Sequence, residues 1–141
     1  LLFQELVTGD LLNDPKALAL PAVYRQIAAH RELADRYRLG LFAYEGGQHL
    51  VGVGSAQNDE RLEKLFTAAN RAASMGALYD DYLNGWRERG GQLFMHFNSV
   101  GRYTRYGSWG AKEFQTQSAA PKHAALLRFI ANRPCWWPGC R

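Results

Sequence analysis

The sequence lacks the motifs and segments that would assign it to several large classes of protein. Its 141 residues contain no apolar run approaching the roughly 20 residues of a membrane-spanning helix. They contain no GxSxG nucleophile elbow, no phosphate-binding loop and no GxGxxG fingerprint. The segment with Gly52 and Gly54 is too short to form that fingerprint. The opening segment LLFQELVTGD has no basic region, so no signal peptide is predicted there. These absences disfavour a membrane protein, an elbow-type serine hydrolase and a nucleotide-binding enzyme.

Cysteine is rare, and the two that are present lie close together, as Cys135 and Cys140 in PCWWPGC. The turn residues Pro138 and Gly139 between them make a loop-closing disulfide sterically feasible. A disulfide is typical of proteins in oxidising compartments. A metal site is disfavoured because no second Cys or His pair accompanies these cysteines. A pair of free thiols is the other alternative.

Runs of like charge are missing too. Basic residues outnumber acidic ones by 17 to 13 and the formal net charge is +4, but the two signs are mixed along the chain. One local basic and aromatic patch comprises Arg102, Tyr103, Arg105 and Tyr106. Because no basic stripe stands behind it, a solvated surface is a better interpretation than a nucleic-acid interface. Neither nucleic acid nor membrane is expected as a partner.

Apolar and aromatic residues, by contrast, are abundant at 47% and 13%, which is enough for the core of one domain. LFAYE and QLFMHF are predicted strands separated by helices, an order that favours parallel pairing. LFAYE does not alternate cleanly, which is typical of a strand covered on both faces. We predict a helix-rich α/β fold with few parallel strands. The single domain, residues 1–141, divides into helices (1–39), a strand–helix–strand unit (40–97) and a long loop, final helix and Cys/Trp tail (98–141).

Capping residues and periodicity predict the helix ends and the buried faces. Gly9 and Gly40 are predicted to close the first two helices, and Asn13-Asp14-Pro15 to form a turn or helix start between them. Asn58 and Asp59 are predicted to open a central helix. The side chains expected to face the core include Val23, Ile27, Ala34, Tyr37, Leu62, Leu65, Phe66, Ala69, Leu78, Tyr79, Tyr82, Leu83, Trp86, Leu126, Leu127, Phe129 and Ile130.

Polar and aromatic side chains follow both predicted strands. Glu45 ends LFAYE and precedes two glycines, whereas His96 and Asn98 end the second strand region and Trp109 lies on the loop after it. Sites in parallel α/β proteins form at the carboxyl ends of strands, so we expect these side chains at one rim. The set suits carbohydrate, because aromatic rings stack on sugar C–H groups while amide and imidazole groups bind hydroxyls.

Two other interpretations of Glu45 stay open. It is a structural carboxylate paired with an Arg or with backbone amides, or it joins His49 and His96 in a metal site of two His and one carboxylate. The metal interpretation is the weaker one, because the compact HExxH spacing is absent. No cofactor is predicted.

Four segments carry a further signal: YEGGQHLVG, FTAANRAASMGALYDDYLNGWRERGGQLFMHFN, RYGSWGAKE and FIANRPCWWPGC. Together they resemble the C-terminal part of large bacterial proteins with a glycosidase-like (β/α)8 barrel, often described as cellulose-binding or carbohydrate-active. The resemblance covers nearly the whole chain. It implies that LFAYE and QLFMHF are the seventh and eighth barrel strands, that Glu45 is the nucleophile of a retaining glycosidase, and that Trp109 floors the sugar subsite.

The resemblance also implies an acid/base carboxylate at the end of the fourth strand, for which this chain has no counterpart. A retaining mechanism needs that carboxylate about 5–5.5 Å from the nucleophile, and the nearest carboxylates in sequence, Asp59 and Glu113, follow neither strand directly. A complete barrel takes roughly 250 residues. We therefore expect a second copy of the chain, or an N-terminal half, to complete the barrel.

The leading hypothesis is a retaining glycoside hydrolase acting on a β-linked glucan such as cellulose, with Glu45 as the catalytic residue. The candidate substrate-binding residues are Tyr44, Gln48, His49, His96, Asn98 and Trp109. The first alternative is a non-catalytic carbohydrate-binding module in which Glu45 is structural, and the second is the metal-dependent enzyme. The expected partner is a poly- or oligosaccharide. The resemblance and the cysteine pair together imply a secreted protein.

Overall fold

The computed structural model describes residues 1–12, 14, 18–132 and 134–140. Its elements in chain order are helix α1 (Leu2–Thr8), helix α2 (Leu20–Arg36), strand β1 (Ala43–Gly46), a 3-10 helix (Gly54–Asn58), helix α3 (Glu60–Arg71), helix α4 (Ala73–Glu88), strand β2 (Phe94–His96) and helix α5 (Pro121–Ala131). The predicted helix-rich α/β class with two parallel strands is confirmed. No helix in this part of the chain is long and apolar enough to span a membrane.

Helix α4 is the centre of the packing and contacts α1, α2, α3 and α5. The buried cluster consists of Met75, Leu78, Tyr79 and Ala125, with Phe3, Leu6, Leu20 and Leu50 packed around it. A Cβ on Gly85 would lie 2.2 Å from the Tyr24 ring of α2, and a Cβ on Gly76 would lie 3.1 Å from the Pro121 carbonyl oxygen of α5. Side chains at these two positions would therefore push α2 and α5 away from α4.

Strand β1 carries one more residue than β2 between paired positions, since Ala43 pairs with Phe94 and Gly46 pairs with His96. A shift of this kind is typical of a β-bulge, which bends a strand and redirects its side chains. The affected stretch holds Tyr44 and Glu45, which are both exposed instead of alternating between the two faces. The irregularity therefore includes Glu45, the candidate catalytic residue.

The described residues cover one face of the sheet and leave the other face open. On the covered face the Phe94 ring meets Tyr82 and Trp86 of α4, at centroid distances of 5.5 and 5.8 Å. The open face exposes Phe42, Tyr44, Leu93, Met95 and Phe97. The prediction that LFAYE is covered on both faces is not met within this part of the chain.

Two of the predicted helix ends are confirmed and one is wrong. Gly9 closes α1 in the left-handed conformation (φ 72°), and the Asp59 carboxylate accepts hydrogen bonds from the first turn of α3. Helix α2 ends earlier than predicted, because Arg38 itself takes the left-handed conformation (φ 55°). Gly40 is instead packed against the Gln92 side chain. The predicted turn at residues 13–15 lies almost entirely outside the described residues.

Most predicted core positions are buried or half-buried, but some face solvent. The exposed ones are Tyr37, Leu65, Leu127 and Ile130, at 70%, 49%, 52% and 70% of their surface. On α5 the reason is the close approach to α4 at Gly76, which places the small Ala125 in the contact. Leu127 and Ile130 are then left on its outer side, whereas Leu126 and Phe129 are half-buried.

Candidate functional site

A pocket of about 200 Å³ opens at the carboxyl ends of the two strands. Its walls are Glu45, Gly46, Gly47, Gln48, His49, Tyr82, Phe97 and Trp109. We call it the rim pocket. Four of the residues predicted from sequence, namely Glu45, Gln48, His49 and Trp109, are thus brought together. Tyr44, His96 and Asn98 are not part of its wall.

Two larger hollows lie elsewhere on the described surface. One of about 470 Å³ is mainly apolar, lies between α1, α2 and α4, and shares Gly47, Gln48, His49 and Tyr82 with the rim pocket. The other, of about 780 Å³, lies between α2 and the Cys/Trp tail. Neither includes Glu45 or Trp109 in its wall, so the rim pocket is the candidate site.

Glycine is required at both positions after Glu45, for a different reason at each. A Cβ on Gly46 would lie 2.2 Å from the Phe94 ring, so only glycine leaves room for that ring beneath the strand. Gly47 has a φ of 148°, which side chains rarely allow, and it lies against the Tyr79 hydroxyl. The chain can therefore turn immediately after Glu45 while staying packed on α4.

The Glu45 side chain is exposed, and its carboxylate has no hydrogen bond or ion pair among the described residues. The alternative of a structural carboxylate paired with an Arg or with backbone amides is therefore not observed. An unpartnered carboxylate beside aromatic walls is free to meet a ligand.

Trp109 forms the aromatic wall of the rim pocket opposite the β1 loop. Its ring lies 4.6 Å from the His49 ring and 6.5 Å from the Phe97 ring, measured between centroids. It also lies directly over Gly107, where a Cβ would come within 2.0 Å of the indole. Because Gly107 has a φ of 144° as well, both its conformation and the position of the indole require glycine there.

The loop that carries Trp109 is tied to both strand ends. The Asn98 amide donates to the Trp109 carbonyl oxygen over 3.3 Å, and the Ala111 amide donates to the Asn98 carbonyl oxygen over 2.8 Å. Gln48 Nε2 donates to the Ser108 carbonyl oxygen over 2.8 Å, while its Oε1 accepts from the Leu50 amide. The amide group of Gln48 is thus engaged at both ends and braces the loop against the turn after β1.

Beneath the rim pocket, the buried Tyr79 and the half-buried His96 form a hydrogen-bonded pair. The Tyr79 oxygen accepts from the Gln48 amide, so its proton is directed at His96 Nε2, 3.1 Å away. We therefore assign the imidazole proton to Nδ1, which donates to the Asn98 carbonyl oxygen. Burial lowers the pKa of His96 to about 4, with a further contribution from the Lys122 cation. The neutral imidazole supports the end of β2 from below.

The carboxylates nearest in sequence are committed elsewhere. Glu113 forms a two-bond ion pair with Arg71, and those bonds hold the pKa of its carboxyl below the usual range. Asp59 caps α3 through bonds to the amides of Arg61 and Leu62, which lower the pKa of its carboxyl. Glu45 is consequently the one carboxylate that the described residues contribute to the rim pocket wall.

Of the remaining predictions, the disulfide is confirmed and the alternative metal site is not observed among the described residues. Cys135 and Cys140 are joined by a disulfide, as expected, so they are neither free thiols nor a metal pair. Within the described ranges, no three His, Cys, Asp or Glu side chains are grouped closely enough to hold a metal ion. His49, His96 and Glu45 do not assemble as a metal site there, since both His96 nitrogens serve the hydrogen bonds above.

Sequence reasoning missed part of the site. Phe97 and Tyr82 line the rim pocket, although Phe97 ends QLFMHF and its position after His96 could have suggested it. It also missed Lys122, which is fully buried below the Trp109 loop. Tyr103, placed by sequence in a surface patch, is buried beside Lys122.

No protein-family model matches the chain, and no curated protein or solved structure is similar enough to count as a match. The resemblance to glycosidase-like barrel proteins therefore stays a prediction. The function has to be argued from the rim pocket itself.

Proposed function

We propose that this chain supplies the nucleophile and a sugar platform of a retaining glycoside hydrolase acting on a β-linked glucan such as cellulose. The observation that carries the proposal is the Glu45 carboxylate, which has no partner among the described residues and lies at the end of a parallel strand, in one pocket with Trp109. The Trp109 and Phe97 rings offer apolar surfaces for a sugar ring. His49, tilted against Trp109, offers a polar edge for hydroxyl groups.

The proposed chemistry is the first half of a retaining displacement. A Glu45 carboxylate oxygen attacks the anomeric carbon, the glycosidic C–O bond breaks, and the leaving oxygen departs with the electron pair. A glycosyl ester on Glu45 results. Natural substrates also need a carboxylic acid that protonates the leaving oxygen and then, as a carboxylate, activates water.

The proposal assigns that second carboxylate to strands that extend the open sheet, in a (β/α)8 barrel completed by a second copy or by an N-terminal half. Its support is the exposed apolar face of the sheet, where Phe42, Met95 and Phe97 lack a covering layer among the described residues. Parallel sheets are normally covered on both faces. Closing the added strands into a barrel would place their inward-facing side chains against this face and bring their carboxyl ends to the rim.

An activated reagent isolates the role of Glu45 from the missing acid. In a dinitrophenyl 2-deoxy-2-fluoro-β-cellobioside the dinitrophenolate leaves without protonation, and the fluorine slows hydrolysis of the ester. We expect one sugar adduct per chain, located on Glu45 by peptide mass mapping. The Glu45→Gln variant should carry none, whereas Glu60→Gln, which alters an exposed carboxylate on α3, should react as the unmodified protein does. An adduct that persists in Glu45→Gln would overturn the proposal.

A second candidate is a carbohydrate-binding module without catalysis, and it is favoured because the described residues contribute a single carboxylate to the rim pocket. Calorimetric titration with cello-oligosaccharides tests it. Under this candidate, Trp109→Ala weakens binding by about tenfold or more, a loss typical of a central aromatic anchor, while Glu45→Gln binds as tightly as the unmodified protein and the activated reagent leaves no adduct. Trapped sugar on Glu45 would exclude this candidate.

A further inference from the structure

Lys122 is fully buried in the first turn of α5. Full burial and a place in the first turn of a helix both disfavour a charged lysine. Removing an ammonium group from water is costly unless it is fully hydrogen-bonded. The first turn of a helix also carries a partial positive charge, which repels a cation. A residue held against both effects has specific partners.

Those partners surround the Lys122 ammonium on three sides. It donates to Asn70 Oδ1 over 2.8 Å and to the Ser108 carbonyl oxygen over 2.5 Å. The Tyr103 ring lies on its third side, with the nitrogen 4.5 Å from the ring centroid, a distance suited to cation–π attraction. Asn70 is fixed in turn by a bond from its Nδ2 to the Phe66 carbonyl oxygen within α3, which directs its oxygen towards Lys122.

The same contacts secure the main chain on both sides of Trp109. The Ser108 carbonyl oxygen, before Trp109, accepts from Lys122 and from Gln48. The Gly110 carbonyl oxygen, after Trp109, accepts from the Tyr103 hydroxyl over 3.1 Å. Lys122 therefore binds the Ser108 carbonyl oxygen directly, and it contacts the Tyr103 ring whose hydroxyl binds the Gly110 carbonyl oxygen.

We propose that Lys122 is a positioning residue for the rim pocket, holding the Ser108 carbonyl and the Tyr103 ring so that Trp109 and Gln48 keep the arrangement that binds ligand. Its contribution to sugar affinity rests on the proposed function. Its control of Trp109 does not, because that follows from the loop contacts alone.

The protonation of Lys122 gives a readout that a merely structural side chain would lack. The titratable groups that interact with it are His96 of β2 and Tyr103 and Glu113 of the loop. Tyr79 of α4 and Arg71 of α3 interact in turn with Tyr103. Burial lowers the pKa of Lys122 to about 7, partly offset by Glu113. Burial also lowers the pKa of His96 to about 4 and raises that of Tyr103 to about 12. Near neutral pH, Lys122 is the member of this group that changes charge.

The test compares the unmodified chain with Lys122→Met, which keeps the apolar stem, and with the control Lys112→Met, which alters a lysine on the loop that carries Trp109. The measurement is the indole N–H resonance of Trp109 in an NMR titration across neutral pH, with the four tryptophan signals assigned from Trp→Phe variants. We expect the Trp109 signal of the unmodified chain to show an inflection near pH 7 that Lys122→Met lacks and Lys112→Met retains. The comparison is made in a His49→Gln background, in which the imidazole that contacts the Trp109 ring is absent.

Two outcomes overturn the proposal. One is a folded Lys122→Met protein whose Trp109 resonance and pH profile match those of the unmodified chain. The other applies if Lys122→Met does not fold. The pH titration is then followed in the unmodified chain at three nuclei: the Lys122 side-chain nitrogen, the Ser108 carbonyl carbon and the Trp109 indole. Their resonances should share one midpoint pH, and different midpoints contradict the proposal.

Sugar affinity separates this inference from the proposed function. If the unmodified chain binds cello-oligosaccharides, Lys122→Met should weaken that binding by about tenfold, as expected when an anchor loses its alignment. If the unmodified chain binds none, the proposed function fails, and the Trp109 resonance still decides the role of Lys122.

Discussion

Gln48 and Ser108 join the two sides of the rim pocket: Gln48 Nε2, just after β1, donates to the Ser108 carbonyl oxygen on the loop after β2, over 2.8 Å. Their positions are 60 residues apart in sequence. The bond explains how a turn rich in glycine and a long loop can present one surface. It also makes Gln48 a brace for the site as well as part of its wall.

Replacing Gln48 by Leu should loosen the loop without unfolding the chain. The variant leaves the Leu50 amide without its acceptor and Ser108 with Lys122 alone. We expect a loss of about 1–3 kcal/mol in the free energy of unfolding, the usual cost of leaving buried polar groups unpaired. Urea unfolding measures it, and Gln26→Leu, on the exposed side of α2, is the control. Equal stability of the two variants would show that the brace contributes nothing.

Gly107→Ala should displace Trp109. The added methyl would lie within 2.0 Å of the indole and would sit at a φ of 144°. Gly54→Ala is a matched control, because Gly54 also has a positive φ, of 58°, but has open space around it. We expect cello-oligosaccharide binding to fall by about tenfold or more in Gly107→Ala and to persist in Gly54→Ala. Unchanged binding by Gly107→Ala would mean that Trp109 is not the sugar platform.

His96 should make the protein less stable in mild acid. Its pKa is about 4 in the folded chain against an ordinary value of 6.5, because burial disfavours the cation. The unfolded chain therefore takes up the proton first, so this contribution to stability is complete above about pH 6.5 and is lost as the pH falls towards 4. Because the half-buried ring is partly screened by solvent, we expect this contribution to be about 1–2 kcal/mol.

Urea unfolding between pH 7 and pH 4 measures that loss. The His96→Gln variant should show a flatter dependence on pH than the unmodified chain. Carboxylates that titrate in the same interval are common to both proteins, so the difference isolates His96. Parallel pH profiles would contradict the buried, neutral imidazole.

The disulfide between Cys135 and Cys140 closes a short loop at the end of the described chain. Removing it in a double Cys→Ser variant should lower the free energy of unfolding by about 2 kcal/mol, the value that chain entropy gives for so short a loop. The measurement is thermal unfolding of the oxidised protein and the variant. Trp136, which donates to the Gly91 carbonyl oxygen over 2.8 Å, should keep the tail attached in both. A variant with unchanged stability would show that Trp136 alone holds the tail.

Sequence reasoning located the rim better than it located what lies beneath it. Glu45 and Trp109 could be predicted together because the carboxyl ends of parallel strands meet at one edge, whatever the details of packing. His96 and Asn98 were expected at the same edge but do not line the pocket. The burial of Lys122 could not be predicted, since a lysine in a first helical turn is ordinarily solvated. It depends on α5 packing closely on α4 at Gly76, a contact between distant parts of the chain.

The same limit explains the errors on helix faces. Periodicity assigned Leu127 and Ile130 to the core of α5, yet both are largely exposed, while Ala125 is buried. An apolar stripe identifies a helix, but the distance to its neighbour decides which part of the stripe is covered. Helix α2 ends early for a local reason: Arg38 takes the left-handed conformation that a C-terminal glycine normally adopts. The position of Gly40 in the sequence therefore did not predict the helix end.

The most direct test of the central claim is the amount of dinitrophenolate released when the chain meets the activated fluoro-cellobioside. If Glu45 is a nucleophile in a sugar-binding pocket, the absorbance rises by one equivalent per chain and then stops, and Glu45→Gln releases none above the background hydrolysis of the reagent. If the two proteins release the same amount, Glu45 does not attack the sugar, and the account of the rim pocket as half of a retaining glycosidase site is wrong.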